Sequence, residues 1–73
     1  MKRIEYRLTQ EYVELNHLLK LCGLAESGGA GGALVTTGVV KVDGNVELRK
    51  RNKIRPGQIV TLDDVEIHVL AKV

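Results

Sequence analysis

The hydrophobic period of this chain changes twice along its length, and that limits the folds open to it. Ile4, Tyr6 and Leu8 alternate with Arg3, Glu5 and Arg7, the period-two pattern of a half-buried strand, and predict a strand over residues 2–8. From Val13 the period changes: Leu15, Leu18, Leu19 and Cys22 fall on one face of a helix, which Gly23 ends as a C′ glycine. After Leu24-Ala25-Glu26, Ser27 is placed as the N-cap of a second helix through Thr37, with Ala30, Leu34 and Val35 facing inward and Gly38 as terminator. Val39, Val40 and Val42 return to the extended pattern, Asp43-Gly44 signals a hairpin, and Val46 resumes beyond it. Arg55-Pro56-Gly57 suits a type II turn. The last two apolar runs, 59–62 and 65–70, read as a closing hairpin about Asp63-Asp64. With neither repeat nor linker, residues 1–73 form one α+β domain, two packed helices against a small antiparallel sheet with an added N-terminal strand.

The second helix is weak by propensity. Gly31 and Gly32 lie in its body, and each costs about 1 kcal/mol relative to Ala. Packing on the first helix is the expected support, and Gly31→Ala is expected to stabilise the fold.

Several function classes are excluded by size and residue usage. At 73 residues only about 60% of the unfolded surface can be buried, so a catalytic cleft with its own supporting shell competes with the core for residues. No nucleophile, base and orienting group stand at motif spacing, and no enzyme is expected. Cys22, His17 and His68 cannot make a disulfide or a zinc ligand set. Cys22 falls on the apolar face as an inert thiol, and the two histidines read as surface or satisfied core residues. Gly28-Gly29-Ala30-Gly31-Gly32 is neither a dinucleotide fingerprint nor a P-loop. No cofactor, metal or small-molecule substrate is implied. No apolar run approaches the ~18 residues of a membrane span, and the start lacks the pattern of a signal peptide. A cytoplasmic monomer with no membrane contact is the expectation.

Charge is more informative than its total of +2 suggests. Residues 41–57 carry six basic side chains (Lys41, Arg49, Lys50, Arg51, Lys53, Arg55) against Asp43 and Glu47, a net +4, while the remainder carries −2. Such density is an electrostatic footprint for a polyanion, with a solvated loop as the bland alternative. Tyr6 and Tyr12 are the only aromatics, so the multi-ring stacking platform of single-strand binders is missing, and recognition should rest on phosphates and the shape of a folded region.

The stretch from Ser27 to Gly44, SGGAGGALVTTGVVKVDG, resembles the alpha-L RNA-binding motif, the domain first described in small-subunit ribosomal protein four. Leu15, Leu19, Gly23, Ser27, Leu34, Gly38, Val40, Val42, Asp43 and Gly44 carry the likeness, and Arg55-Pro56-Gly57-Gln58 is similar to the family's Pro-Gly-Asp before its last strand. The resemblance is strongest over residues 13–62. The short length, Leu19-Lys20, Ser27-Gly28-Gly29 and Glu47-x-Arg49 followed by the basic run look most like the small standalone bacterial members, the YbcJ-like proteins. Gly28, Gly32 and Ala33 stand where the family usually has basic residues.

The resemblance implies binding of structured RNA, ribosomal or transfer RNA, and, with the former, association with the ribosome. The basic loop (Arg49, Lys50, Arg51, Lys53, Arg55) is one half of the implied site. The other is the start of the second helix, where the N–H groups of Ser27, Gly28 and Gly29 can donate to a phosphate. The resemblance adds Asn16, Lys20, Gly32, Lys41 and Asp43 on the RNA-facing side. A non-catalytic module that docks its basic surface on an acidic protein is the alternative.

Overall fold

The two alternating segments at opposite ends of the chain meet as neighbours. In the computed structural model, which describes residues 1–73, strand β1 (Lys2–Arg7) lies parallel to the last strand, β7 (Val65–Leu70), in register from Lys2 opposite Val65 to Arg7 opposite Leu70. β7 pairs antiparallel with β6 (Ile59–Leu62), β6 with β3 (Val40–Val42), and β3 with the short β4 (Asn45–Val46). The sheet order is therefore β1-β7-β6-β3-β4. Its body is antiparallel, as expected, and the added N-terminal strand makes it mixed. A second ladder of two residues joins β2 (Val13–Glu14) to β5 (Lys53–Ile54). Val13 thus belongs to a strand, and helix α1 begins two residues later, over Leu15–Leu21. Helix α2 covers Gly28–Thr36.

One face of the sheet and the helix pair share a single core. Val40, Val42, Val60, Leu62, Ile67 and Val69 point from the sheet, Leu15, Leu18 and Leu19 from α1, and Val35 from α2. The turns are those the sequence specifies. Asp43 and Gly44 both adopt positive φ, at 51° and 86°, which is the requirement of a two-residue type I′ hairpin. Ser27 caps α2, its Oγ accepting from the Ala30 N–H at 3.0 Å.

The inward face of α2 differs from expectation. Gly31, Gly32 and Val35 are buried, Leu34 is half-buried and Ala30 is exposed. The reason is the close approach of the two helices. An added Cβ at Gly31 would lie 2.4 Å from the main-chain oxygen of Asn16 on α1, a separation that real Cβ atoms do not adopt. Glycine is the contact surface here. A reading based on apolar side chains misses a face that has none.

Candidate nucleic-acid interface

The basic segment is a loop from Glu47 to Asn52 that continues into β5, and its backbone is tied to the start of α1. A helix leaves its first N–H groups without intrahelical partners, and Glu14, at the N-cap of α1, makes no side-chain capping bond. The loop fills that role. Leu15 N–H donates to the Asn52 carbonyl and Asn16 N–H to the Lys50 carbonyl, both at 2.9 Å. The chain reverses over Lys50 and Arg51, closed by Asn52 N–H donating to the Arg49 carbonyl at 3.1 Å.

Glu47 organises the inside of this loop. Its Oε2 accepts from the Arg49 N–H and from Arg49 Nε, each at 2.9 Å, and its Oε1 accepts from Arg49 Nη2 at 3.2 Å and Asn52 Nδ2 at 3.4 Å. The hydrogen bonds from the Arg49 guanidinium, then from its main chain, hold the Glu47 carboxyl below its ordinary range, and the same pairing raises Arg49. The Glu47 side chain is only 14% exposed, while that of Arg49 remains 77% exposed. Arg49 is thus oriented from one side and open on the other. With Arg51, Asn52 and Lys53 it lines a shallow depression that contains no apolar residue.

Two further cations are arranged on a ring. Lys53 Nζ lies 4.9 Å and the Arg55 guanidinium 5.6 Å from the centre of Tyr12, within the range of a cation–π contact. Composition alone could not find this role for Tyr12, because the contact requires the β2–β5 ladder that places residues 12–14 beside 53–55.

The helix half of the predicted site lies beside the loop. Asn16 Nδ2 donates to the Gly28 carbonyl at 3.4 Å, and Asn16 Oδ1 is buried without a partner. Asn16 therefore joins the helices. The cap at Ala30 leaves the N–H groups of Gly28 and Gly29 without intrahelical acceptors; Gly29 is exposed and Gly28 half-buried. Gly32 is covered, since the stem of Lys50 passes over it, 3.0 Å from where a Cβ would stand. It has no surface for direct contact, and Lys50 brings a charge from the loop across the position where the resemblance expects a basic side chain from the helix. Lys20 is exposed one turn beyond Asn16 on the same side of α1.

Two predicted residues stand apart. Lys41 alternates with buried Val40 and Val42, so it projects from the sheet face opposite the helices and away from the loop. Asp43 is exposed, and its carboxylate is taken up by bonds to the protein's own chain. Its Oδ1 accepts from the Ile59 N–H at 2.9 Å and its Oδ2 from Gln58 Nε2 at 3.4 Å, while Gln58 Oε1 accepts from the Arg55 N–H at 2.8 Å. The hairpin carboxylate is thereby joined to the turn that carries Arg55. Both its oxygens are used, and its charge would repel a phosphate.

A family model described as an S4 domain matches residues 6–70. The putative RNA-binding protein YbcJ of Escherichia coli K12 is 48% identical over 60 residues, which is 82% of this chain and 86% of that protein. The uncharacterized protein YbcJ of Shigella flexneri matches to the same extent. The solution structure of the Escherichia coli protein, described as revealing an alpha-L motif involved in RNA binding, superposes with a TM-score of 0.70 at 44% identity, covering 92% of this chain and 86% of that one.

Proposed function

The chain belongs to the S4 domain family, and from that premise we propose that it binds structured RNA, ribosomal or transfer RNA, through the basic loop and the start of α2. The observation that carries the reading is the attachment of the loop to α1 by its own backbone. An unordered loop would lose conformational freedom on binding, whereas this one presents Arg49, Lys50, Arg51, Lys53 and Arg55 as an array already fixed by two main-chain hydrogen bonds and the Glu47 carboxylate.

The geometry supports a division of labour among these residues. Arg49, Arg51 and Lys53 surround one depression and hold a run of phosphates; Arg55 extends the array past the Tyr12 ring. Lys50, whose stem lies over Gly32, adds its charge beside α2, where the N–H groups of Gly28 and Gly29 donate to one further phosphate at the positive end of the helix. Phosphate contacts of this kind fix position and carry no sequence information, so affinity falls steeply with salt. Five neutralised phosphates on an A-form region give a log–log salt slope of about −4.

Fluorescence anisotropy of a labelled RNA hairpin, titrated with protein at several salt concentrations, tests this. Replacing Arg49, Arg51 and Lys53 with Gln should flatten the slope by about 2 to 3 and weaken binding to every hairpin alike. An unchanged slope in a correctly folded triple variant refutes the assignment of the loop. Capture of a nuclease-resistant acidic protein partner, with no RNA bound, would refute RNA binding itself.

A further inference from the structure

The chain's only two aromatic residues, Tyr6 and Tyr12, line the same cleft, a depression of about 250 Å³ between the end of β1 and the start of α1. Leu8 lies within it, and Gln10, Glu14 and His17 also line it, with Gln10 and His17 exposed. It is smaller than the roughly 300–1,000 Å³ of pockets for drug-sized ligands and suits one heterocycle.

Charge constrains the occupant. Glu14 faces Lys53 across the β2–β5 ladder, and its carboxylate discourages an anion inside the cleft. On the cleft's edge Tyr12 carries Lys53 and Arg55, which attract one. A group that is planar and uncharged at one end and anionic at the other satisfies both conditions.

We propose that the cleft receives a single unpaired base of the bound RNA, stacked on Tyr12 and walled by Tyr6, with the adjoining phosphate on Lys53 and Arg55. This rests on the RNA-binding reading above and adds a base-reading subsite to a surface that otherwise holds only backbone. Glu14 accepts a hydrogen bond from an exocyclic amine, which adenine, cytosine and guanine possess and uracil lacks.

Two hairpins identical except for one bulged adenine test the proposal, each titrated with the wild-type chain and with Tyr6→Leu and Tyr12→Leu. The wild type should bind the bulged hairpin about tenfold more tightly, and a bulged uracil should recover less of that gain. Tyr6→Leu should remove most of the bulged hairpin's advantage. Tyr12→Leu should equalise the two hairpins and weaken both, because Lys53 and Arg55 lose their support. Equal binding of both hairpins by the wild type overturns the base subsite and leaves RNA binding standing; binding of neither overturns both. Tyr6 packs against the core, so if Tyr6→Leu does not fold, the ring-proton signals of the wild-type tyrosines decide. Upfield movement with the bulged hairpin alone supports the subsite, and no movement refutes it.

Discussion

Gly31→Ala sets helix propensity directly against packing. Propensity favours the substitution by about 1 kcal/mol, and Gly31 has no positive φ that would oppose a side chain. Packing opposes it. The new methyl would stand 2.4 Å from the Asn16 carbonyl oxygen, 3.2 Å from its carbon and 3.3 Å from the Asn16 Cα. All three atoms are backbone in the first turn of α1, so no rotamer change relieves the clash and the helices must separate. Separation strains the Asn16 bond to the Gly28 carbonyl and the bond from Asn16 N–H to Lys50 that fastens the loop. Overpacking against an unyielding neighbour costs typically 1–3 kcal/mol, and a stretched hydrogen bond adds about 1. Set against the propensity gain, the net is a loss of about 1–3 kcal/mol. For a domain of this size each kcal/mol corresponds to about 4–8 °C in Tm, so thermal unfolding followed by circular dichroism should show a fall of about 4–24 °C. Gly29→Ala is the control: its Cβ would meet only Ser27 Oγ, at 3.8 Å, and it should be neutral or raise Tm slightly. A Gly31→Ala variant as stable as the wild type would refute the close-contact reasoning and restore the propensity expectation.

Glu47→Gln should lower stability at neutral pH, and the difference should vanish in acid. The carboxyl is depressed in the folded state, so its contribution is complete above its unfolded value, near 4.5, and is lost as pH falls through the lower folded value; urea unfolding of both chains across that range checks this. Asp43→Ala removes the acceptor for Ile59 N–H and Gln58 and should cost about 1.5–3 kcal/mol in denaturation. Where both chains are folded, its affinity for RNA should not fall beyond what movement of Arg55 explains. Gly32→Lys should fold, because the atom it meets at 3.0 Å is the flexible stem of Lys50, and its salt slope should steepen by less than the roughly one unit of an independent cation, because the new lysine takes the place of Lys50.

Local patterns in the sequence carried the elements, and contacts between distant residues carried most of what they missed. The strand at residues 2–8 was legible from its alternation, yet nothing in a period-two pattern says which strand it joins; its parallel pairing with β7 is a contact across the whole chain. The cations of the loop were legible as density. Their order was not, because Glu47 looks like one acid diluting a basic run and only the fold shows it gripping Arg49 and Asn52. Asp43 was recognised as part of a family motif, but its position in that motif is equally consistent with a ligand contact and with a structural bond to β6. The geometry of Oδ1 on Ile59 N–H supports the second.

The glycines of α2 show how one sequence feature can hide two structural roles. Gly31 and Gly32 are adjacent and carry the same propensity penalty, so a local reading treats them alike. In the structure they face different neighbours: Gly31 meets the rigid backbone of α1, and Gly32 meets the aliphatic stem of Lys50. The first glycine sets the distance between helices and through Asn16 the seat of the loop; the second leaves the room through which a loop lysine reaches the helix. A basic side chain at position 32 and a lysine crossing over it from position 50 compete for the same space. Loss of the helix cation and presence of the loop cation are therefore one arrangement, and Lys50→Ala should cost more affinity in the wild-type chain than in a Gly32→Lys background. Equal losses in the two backgrounds, measured by the same anisotropy titration, would show that the two positions act independently.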